Sequence, residues 1–325
     1  MVSDIITVSG ENMAEPKTAR VKQKSLKKVF SKYWQLYLFL LIPLVWLVVF
    51  KYYPMLGAQI AFKNFRPNRG IWGSEWVGFR NFTRFFGSYQ FARVMTNTLV
   101  VSFYSLLAGF PFPIILALMF NSLNNKRLRG FAETVAYMPH FISTVVLVGM
   151  MLQLFNPHIG IFGAIFRNLF HQSAPNLFGD PRTFPHLYVW SGLWQHLGWN
   201  TIIYTAALSG VDPELHEAAR IDGASRFQGI LHIDIPTIMP TITIMLILNV
   251  GNIMAVGFEK VYLMQTSLNL RASEIISTYV YKVSFVQGSD FSFAAAIGLF
   301  NSIINFALLA TVNAASRKLG ETSLW

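Results

Sequence analysis

The sequence predicts an all-α membrane protein, folded as a bundle of six membrane-spanning helices, and three observations lead to this fold class. Only 13% of the 325 residues are charged and 53% are hydrophobic, which is less charge than a water-exposed surface usually carries. Six stretches are apolar over about 20 residues, the length that crosses a bilayer as a helix. Those stretches carry almost no charge, and in lipid their backbone groups must pair within a helix.

The six predicted spans form one membrane domain, with a short region before it and another after it. They cover residues 34–53, 95–120, 134–154, 187–210, 237–258 and 291–316. Lys51 is the one Asp, Glu, Lys or Arg residue inside them. A basic segment at 1–33 precedes this membrane domain, 34–316, and a short tail follows at 317–325.

The positive charges predict the orientation of the bundle. Basic residues crowd the segment before the first span: Lys17, Arg20, Lys22, Lys24, Lys27, Lys28 and Lys32. The positive-inside rule then keeps the N-terminus in the cytoplasm, and with six spans the C-terminus is cytoplasmic as well. A nucleic-acid-binding arm would also be basic, but charges directly beside a span are typical of contact with a membrane surface. No nucleic-acid partner is therefore expected.

The predicted outer side carries three long loops, at residues 54–94, 155–186 and 259–290. Loops of this length usually bind a partner or are ordered by one. The first loop is also basic, which weakens the orientation argument, although the positive-inside rule loses force in a loop of this length. Its basic residues are Lys63, Arg66, Arg69, Arg80, Arg84 and Arg93.

The chain shows no motif for an energy source or for catalysis. No Gly-Lys pair occurs, so the phosphate-binding loop of many ATPases is absent, and so is the GxSxG motif of hydrolases. A proton-driven carrier needs an ionisable group inside its spans. His196 is the candidate, and a histidine hydrogen-bonded between helices explains it more simply. Without cysteine or a zinc-binding histidine spacing, we predict no metal or cofactor in this chain and an energy source on another subunit.

A short polar segment between the fourth and fifth spans predicts a helix, a turn and a second helix. Asp212 and Pro213 suit the N-cap and the first helical position, and Glu214 places negative charge at the positive end of the helix dipole. Gly223 can adopt the left-handed conformation that ends a helix. A second short helix then begins at Ala224 or Ser225 and runs towards the next span.

We call this segment, residues 213–235, the docking knob. An amphipathic connector resting on lipid headgroups is the simpler alternative, but such helices favour Lys and Arg opposite bulky apolar residues. Here Ala218 and Ala219 are small and allow another protein to approach closely, while Glu217, Arg220 and Asp222 offer directional polar contacts. These features favour a rigid protein-docking element.

The docking knob resembles the coupling-helix signature of the permease subunits of bacterial ABC importers. That signature reads EAA, three residues, Gly, nine residues and Ile-x-Leu-Pro, and the longer form EAAxxDGA is typical of the carbohydrate-uptake branch. It stands here as Glu217-Ala218-Ala219, Asp222-Gly223-Ala224 and Ile233-Asp234-Ile235-Pro236, with Ile235 in place of Leu. Other stretches that resemble this branch are Trp76-Val77-Gly78-Phe79-Arg80-Asn81-Phe82, Asn97-Thr98-Leu99, Tyr137-Met138-Pro139 and Trp194-Gln195-His196-Leu197-Gly198-Trp199-Asn200.

The resemblance implies half of a transporter with the type I importer fold, a multi-pass protein of the bacterial inner membrane. Its partners would be a second, similar permease subunit, two ATPase subunits that hold ATP and Mg²⁺, and an extracytoplasmic solute-binding protein. An oligosaccharide or polysaccharide would be the cargo. The residues at matched positions that would couple to the ATPase are Glu217, Ala218, Ala219, Arg220, Asp222, Gly223 and Ala224.

Polar and aromatic side chains within the spans are candidates for the sugar pathway. Sugars bind through hydrogen bonds and aromatic faces in a mostly apolar cleft. The candidates are Trp194, Gln195, Trp199, Asn200, Asn249, Asn252, Asn301 and Asn305. Asparagine and glutamine in spans also serve as hydrogen-bonding contacts between helices, and tryptophan as an anchor at headgroup level, so both interpretations stay open.

The basic outer loop favours an acidic sugar polymer as cargo, because a positive field attracts an anionic substrate. Docking of an acidic binding protein would explain the same residues.

Two other classes of function remain as alternatives. A stand-alone secondary carrier or channel would transport without an ATPase, and a membrane enzyme such as a glycosyltransferase would show an acidic DxD pair, which the sequence lacks.

Overall fold

The computed structural model describes residues 26–318, with side chains from residue 32 onward. It separates into two units, one ending at Gly57 and the other beginning at Ala58. The predicted basic segment and the predicted tail lie largely outside the described residues.

The first unit is one long apolar helix. Its parts are α1, Leu26–Leu47, a π-helical stretch, Val48–Tyr52, and α2, Tyr53–Met55. The first predicted span, 34–53, is therefore helical throughout. Its large apolar side chains are exposed, with Phe39 at 75%, which suits a lipid environment better than water.

The predicted outer loop after this helix is folded. A 3₁₀ helix, Leu56–Phe62, strand β1, Lys63–Asn64, helix α3, Gly70–Gly73, strand β2, Glu75–Trp76, and helix α4, Arg80–Phe86, follow one another. The two strands pair antiparallel, with Lys63 opposite Trp76. The buried Asn81 amide donates to the Ala61 carbonyl at 2.9 Å and to the Lys63 carbonyl at 3.2 Å, which fixes α4 against the hairpin.

Four helices among the described residues are long and apolar enough to cross a membrane, and a sharply bent pair makes five if it counts as one span. The four are Lys32–Phe62, Tyr89–Asn121, Arg226–Gly251 and Phe291–Lys318. The second of them consists of α5, Tyr89–Gly109, and α6, Pro111–Asn121. The prediction of an all-α membrane bundle is confirmed.

The third predicted span, 134–154, is not one straight helix. It is made of α7, Lys126–Tyr137, a 3₁₀ turn, Met138–Phe141, and α8, Thr144–Leu154, with a 92° bend. Pro139 lies in the turn, and the Ser143 hydroxyl accepts a hydrogen bond from the Val146 amide to start α8 afresh. A proline followed by an N-cap ends one helix and begins another even where the sequence stays apolar.

The fourth predicted span falls in one helix, which carries tryptophan, histidine, glutamine and asparagine side chains and is not among the four helices above. After α9, Ile161–Phe170, helix α10 covers Phe184–Leu208 and packs against α5, α6 and α7. Gly198 permits the closest approach, because a Cβ there would lie 2.2 Å from the Ala136 carbonyl oxygen on α7. Helix α10 is thus held within the bundle on several sides.

The docking knob joins α10 to a long helix. Helix α11, Pro213–Ile221, is followed by α12, Arg226–Gly229, a π-helical stretch, Ile230–Asp234, and α13, Ile235–Gly251. The last three run on as a single 26-residue helix. The sequence-based prediction of a separate short second helix was therefore wrong, since no break separates it from the fifth span.

The fifth span also ends earlier than predicted, at Gly251 instead of 258. Just beyond this end, the Asn305 side chain accepts a hydrogen bond from the Met254 amide at 3.0 Å.

Short helices follow before the final span. They are α14, Phe258–Met264, α15, Leu270–Ser273, and α16, Ile276–Tyr281, with a π-helical stretch, Lys282–Val286, and then α17, Phe291–Lys318. Phe293 and Ile297 of α17 pack with Phe85 and Ile276 in a buried core. This core ties the predicted outer segments to the last span.

A buried carboxylate adds polar ties at the same place. Glu274 is 1% exposed, and it accepts from the Lys282 ammonium at 3.0 Å and from the Arg93 guanidinium. The Asn97 amide of α5 donates to the backbone carbonyls of Glu274 and Arg271, both at 2.9 Å. Helix α5 and the segment before α17 are thus joined by an ion pair and by side-chain to backbone hydrogen bonds.

Candidate functional site

The first helix of the docking knob begins and ends at the predicted residues. The Asp212 carboxylate caps α11 by accepting from the Glu214 amide at 3.0 Å. Gly223 ends it with φ +79°, a left-handed conformation that costs most residues energy but not glycine. The Ala224 amide then donates to the Ala219 carbonyl at 2.9 Å, which closes the turn.

The second helix of the knob starts with a reciprocal cap. The Gln228 side chain accepts from the Ser225 amide at 2.7 Å, and the Ser225 hydroxyl accepts from the Gln228 amide at 3.4 Å. This capping box satisfies two backbone donors that would otherwise lack partners at a helix start. Both sides of the Gly223 turn are therefore fixed by local hydrogen bonds.

A side-chain hydrogen bond anchors the first helix of the knob to the long helix behind it. His216 Nε2 of α11 lies 3.1 Å from Asp234 Oδ1, and Asp234 is 3% exposed. The two residues stand 18 positions apart, so the pair holds α11 against the start of α13. A cavity of about 430 Å³ lies beside it, with Glu217, Arg220 and Arg226 in its wall.

The tip of the knob combines polar and apolar surface. Of the predicted coupling residues, Glu217, Ala218, Arg220, Asp222 and Gly223 are exposed, and Ala219 and Ala224 are half-buried. Two large apolar side chains stand beside them, Ile221 at 86% and Phe227 at 72% exposure. The sequence analysis missed these two. An exposed apolar residue within a polar rim is typical of a protein-protein interface.

A second cavity, of about 310 Å³, lies along α10. Its polar wall is formed by Ser105, Thr144, Tyr188, Gln195, His196, Asn200, Glu259 and Lys260. Among the eight predicted pathway residues, Gln195 and Asn200 contribute to it. Gln195 is 3% exposed and donates to the Ile142 carbonyl at 2.7 Å, so part of its hydrogen-bonding capacity holds α10 to the start of α8.

The other predicted pathway residues lie outside the wall of this cavity. Asn249 and Asn252 are exposed and donate to the carbonyls one turn back in their own chain. Asn305 accepts from the Met254 amide, and Asn301 has a buried side-chain oxygen for which the described residues offer no hydrogen-bond donor. The assignment of these residues to a sugar pathway stays a prediction.

Aromatic rings and a histidine pair stand near this cavity. Trp199 stacks on His140, with ring centres 4.2 Å apart and planes inclined by 5°, and Trp194 is 49% exposed. His140 Nδ1 lies 3.0 Å from His196 Nδ1. His196 is therefore hydrogen-bonded to another part of the bundle, which is the simpler explanation given for it from the sequence. Its partner, His140, was not recognised from the sequence.

Lys260 is the most unusual side chain in the cavity wall. It is 8% exposed, donates to the Tyr188 carbonyl at 2.9 Å and lies 4.9 Å from the centre of the Tyr188 ring. Burial lowers the pKa of its ammonium to about 8, because a charged group loses hydration there. Sequence analysis missed Lys260, since it follows the fifth predicted span directly and only tertiary packing buries it.

The family of the chain follows from its sequence over most of the membrane domain. Residues 109–320 match the family model of the binding-protein-dependent transport system inner membrane component. The chain belongs to this family. It is the permease component of an ABC transporter and not an enzyme, as the sequence predicted.

Similar proteins agree with this assignment over nearly the full length. Protein LplB of Bacillus subtilis is 39% identical over 290 residues, covering 89% of this chain and 91% of LplB. The polygalacturonan/rhamnogalacturonan transport system permease protein YteP of the same organism is 37% identical over 309 residues, 95% of each chain.

Solved structures extend the similarity to the fold. A bacterial ABC transporter involved in the import of the acidic polysaccharide alginate contains a chain with 36% identity and a TM-score of 0.83, covering 91% of this chain and 99% of its own. A complex of the alginate transporter with an alginate pentasaccharide-bound periplasmic protein gives 35% identity and a TM-score of 0.84, covering 93% and 100%. The predicted type I importer permease fold is confirmed.

Proposed function

We propose that this permease forms half of the translocation pathway for an oligosaccharide or polysaccharide, and that separate ATPase subunits drive it through the docking knob. The knob carries this proposal. It is exposed, capped on both sides of Gly223 and pinned at its base by the His216–Asp234 pair. A rigid projection with apolar and charged residues at its tip suits a groove on a moving partner.

The route of the motion follows from the helices behind the knob. The chain runs without a break from Arg226 to Gly251, so a displacement of the knob moves a 26-residue helix. Helix α13 packs against both α10 and α17. Movement of the ATPases would therefore reach the helices around the cavity as a rigid-body shift, one of the common forms of switching between two states.

The remaining partners and the location follow from the family. We propose a second permease subunit, two ATPase subunits and an extracytoplasmic solute-binding protein, assembled in the bacterial inner membrane. The periplasmic protein bound to the similar alginate transporter supports the last of these. Both termini and the docking knob would face the cytoplasm, where ATP is available, and the ATPases would hold ATP and Mg²⁺.

An acidic cargo is the most specific part of the proposal. The similar proteins named above include a transport permease for polygalacturonan and rhamnogalacturonan and a transporter of alginate. All of these polymers contain uronic acids. On the predicted outer side Arg66, Arg69 and Arg80 are exposed. Arg84 and Arg93 instead pair with acidic residues of this chain, so the first three are the better candidates for attracting an anion.

Competition in an uptake assay tests the cargo. The reconstituted transporter, with its partner subunits, takes up a labelled oligouronate in the presence of unlabelled acidic or neutral oligosaccharides of equal length. We expect acidic competitors to inhibit uptake at concentrations at least about tenfold lower, because one charge-assisted hydrogen bond contributes roughly 1.5–3 kcal/mol. Equal inhibition by both classes would remove the acidic cargo and leave the sugar permease in place.

A further inference from the structure

We propose that Lys260 determines specificity by binding a sugar carboxylate in the cavity along α10. This inference rests on the proposed import of acidic sugars and identifies the residue that would recognise them. The surroundings of the Lys260 ammonium, the space beside it and the groups in the cavity wall support this role.

The ammonium of Lys260 is only partly satisfied within the protein. It can donate three hydrogen bonds, and one goes to the Tyr188 carbonyl. Among the described residues no carboxylate forms an ion pair with it, although Glu259 lines the same cavity. A buried cation without an anionic partner loses solvation energy, so its presence in a cavity wall points to a ligand that supplies the negative charge.

Two glycines line the space beside the ammonium. A Cβ at Gly192 would lie 3.0 Å from the Lys260 ammonium, and a Cβ at Gly257 would lie 3.4 Å from the Tyr188 hydroxyl. Any larger residue at Gly192 would press on the ammonium from the side of the cavity. The cavity volume of about 310 Å³ is at the lower end of the usual range for small-molecule sites.

The rest of the wall suits a sugar ring. Asn200, Ser105 and Thr144 offer neutral hydrogen-bonding groups, and Tyr188 offers an aromatic ring next to the ammonium. Neutral groups and an aromatic ring bind any sugar, because every sugar has hydroxyls and an apolar face. The ammonium of Lys260 can distinguish a uronic acid from its neutral counterpart, because it can donate a charge-assisted hydrogen bond to the carboxylate.

A purely structural role is the alternative for Lys260, since its bond to Tyr188 connects α14 to the start of α10. Lys260→Gln separates the two roles. Glutamine keeps a donor for the Tyr188 carbonyl but has no charge, and Lys260→Arg restores the charge. Arg182→Gln serves as the matched control, because it removes one positive charge from an exposed position outside the cavity wall.

The experiment measures the KM for oligouronate uptake by the reconstituted transporter, together with uptake of a neutral oligosaccharide of equal length. We expect Lys260→Gln to raise the KM for the acidic sugar at least about tenfold and to leave uptake of the neutral sugar and the melting temperature unchanged. Lys260→Arg should recover most of the loss, and Arg182→Gln should change KM far less.

Three outcomes would overturn the inference. If Lys260→Gln reduces uptake of both sugars equally, or lowers the melting temperature, the residue is structural. If it changes neither uptake, the carboxylate does not bind there. If the wild-type transporter takes up acidic and neutral sugars equally well, the acidic cargo is refuted, and this role for Lys260 is refuted with it. If the wild type prefers the acidic sugar and Lys260→Gln has no effect, only the role of Lys260 is refuted.

Discussion

Glu217→Lys is expected to reduce ATP-driven sugar uptake strongly while the permease still inserts and assembles. Glu217 is exposed at the tip of the docking knob, and the cavity beside it also has Arg220 and Arg226 in its wall. A lysine there reverses the charge presented to the ATPase and adds to this positive cluster. Surface charge reversals seldom unfold a protein, so the loss should appear in coupling and not in expression.

Uptake and ATP hydrolysis measured together check this prediction. Uptake should fall at least about tenfold, because placing like charges against each other at a protein interface costs several kcal/mol. Gly223→Pro should have the same effect for another reason, since proline cannot adopt the φ of +79° found there. Gly223→Asn is the matched control, because asparagine tolerates the left-handed conformation and should keep most of the uptake. Normal uptake in both Glu217→Lys and Gly223→Pro would contradict the coupling role.

Glu274→Gln is expected to produce the largest loss of stability. The Glu274 carboxylate is 1% exposed and pairs with both Arg93 and Lys282, so removing its charge takes the acidic partner from two cations. Breaking a buried pair by removing one partner costs about 3–5 kcal/mol, and the roughly one-third exposure of both cations places this site at the lower end. The melting temperature of the detergent-solubilised transporter should fall accordingly.

The exposed pair between Arg84 and Asp290 is the matched control for that experiment. Its side chains are 59% and 36% exposed, and ion pairs in water contribute about 0–1 kcal/mol. Asp290→Asn should therefore shift the melting temperature far less than Glu274→Gln. Equal shifts would show that burial of the Glu274 carboxylate does not contribute to the stability of the bundle.

Local signals made part of the structure predictable. Asp212, Pro213 and Gly223 act within a few residues of their own position, and the structure begins and ends α11 where they indicate. Apolar length predicted the helical bundle for the same reason, because a span satisfies its own backbone. Pro139 also carried a local signal, but the uniform apolar run hid the 92° bend that follows it.

The features missed by sequence analysis depend on distant contacts. Lys260 is buried by packing against Tyr188, 72 positions earlier, and Glu274 binds Arg93, 181 positions earlier. Neither partner can be paired from one sequence, since no periodicity connects them. The fifth span was predicted too long for a similar reason, because Asn305 of another helix binds the backbone just beyond its end.

The central claim is that the docking knob binds an ATPase subunit, and crosslinking tests it most directly. The chain has no cysteine, so Ala218→Cys introduces a unique, exposed attachment point on the knob. Phe39→Cys, exposed on the first apolar helix, is the control. Membranes containing the complete transporter are treated with a thiol-reactive crosslinker, and attached molecules are identified by mass spectrometry. We expect an ATPase subunit on Ala218→Cys and none on Phe39→Cys, whereas lipid adducts alone at both positions would contradict the claim.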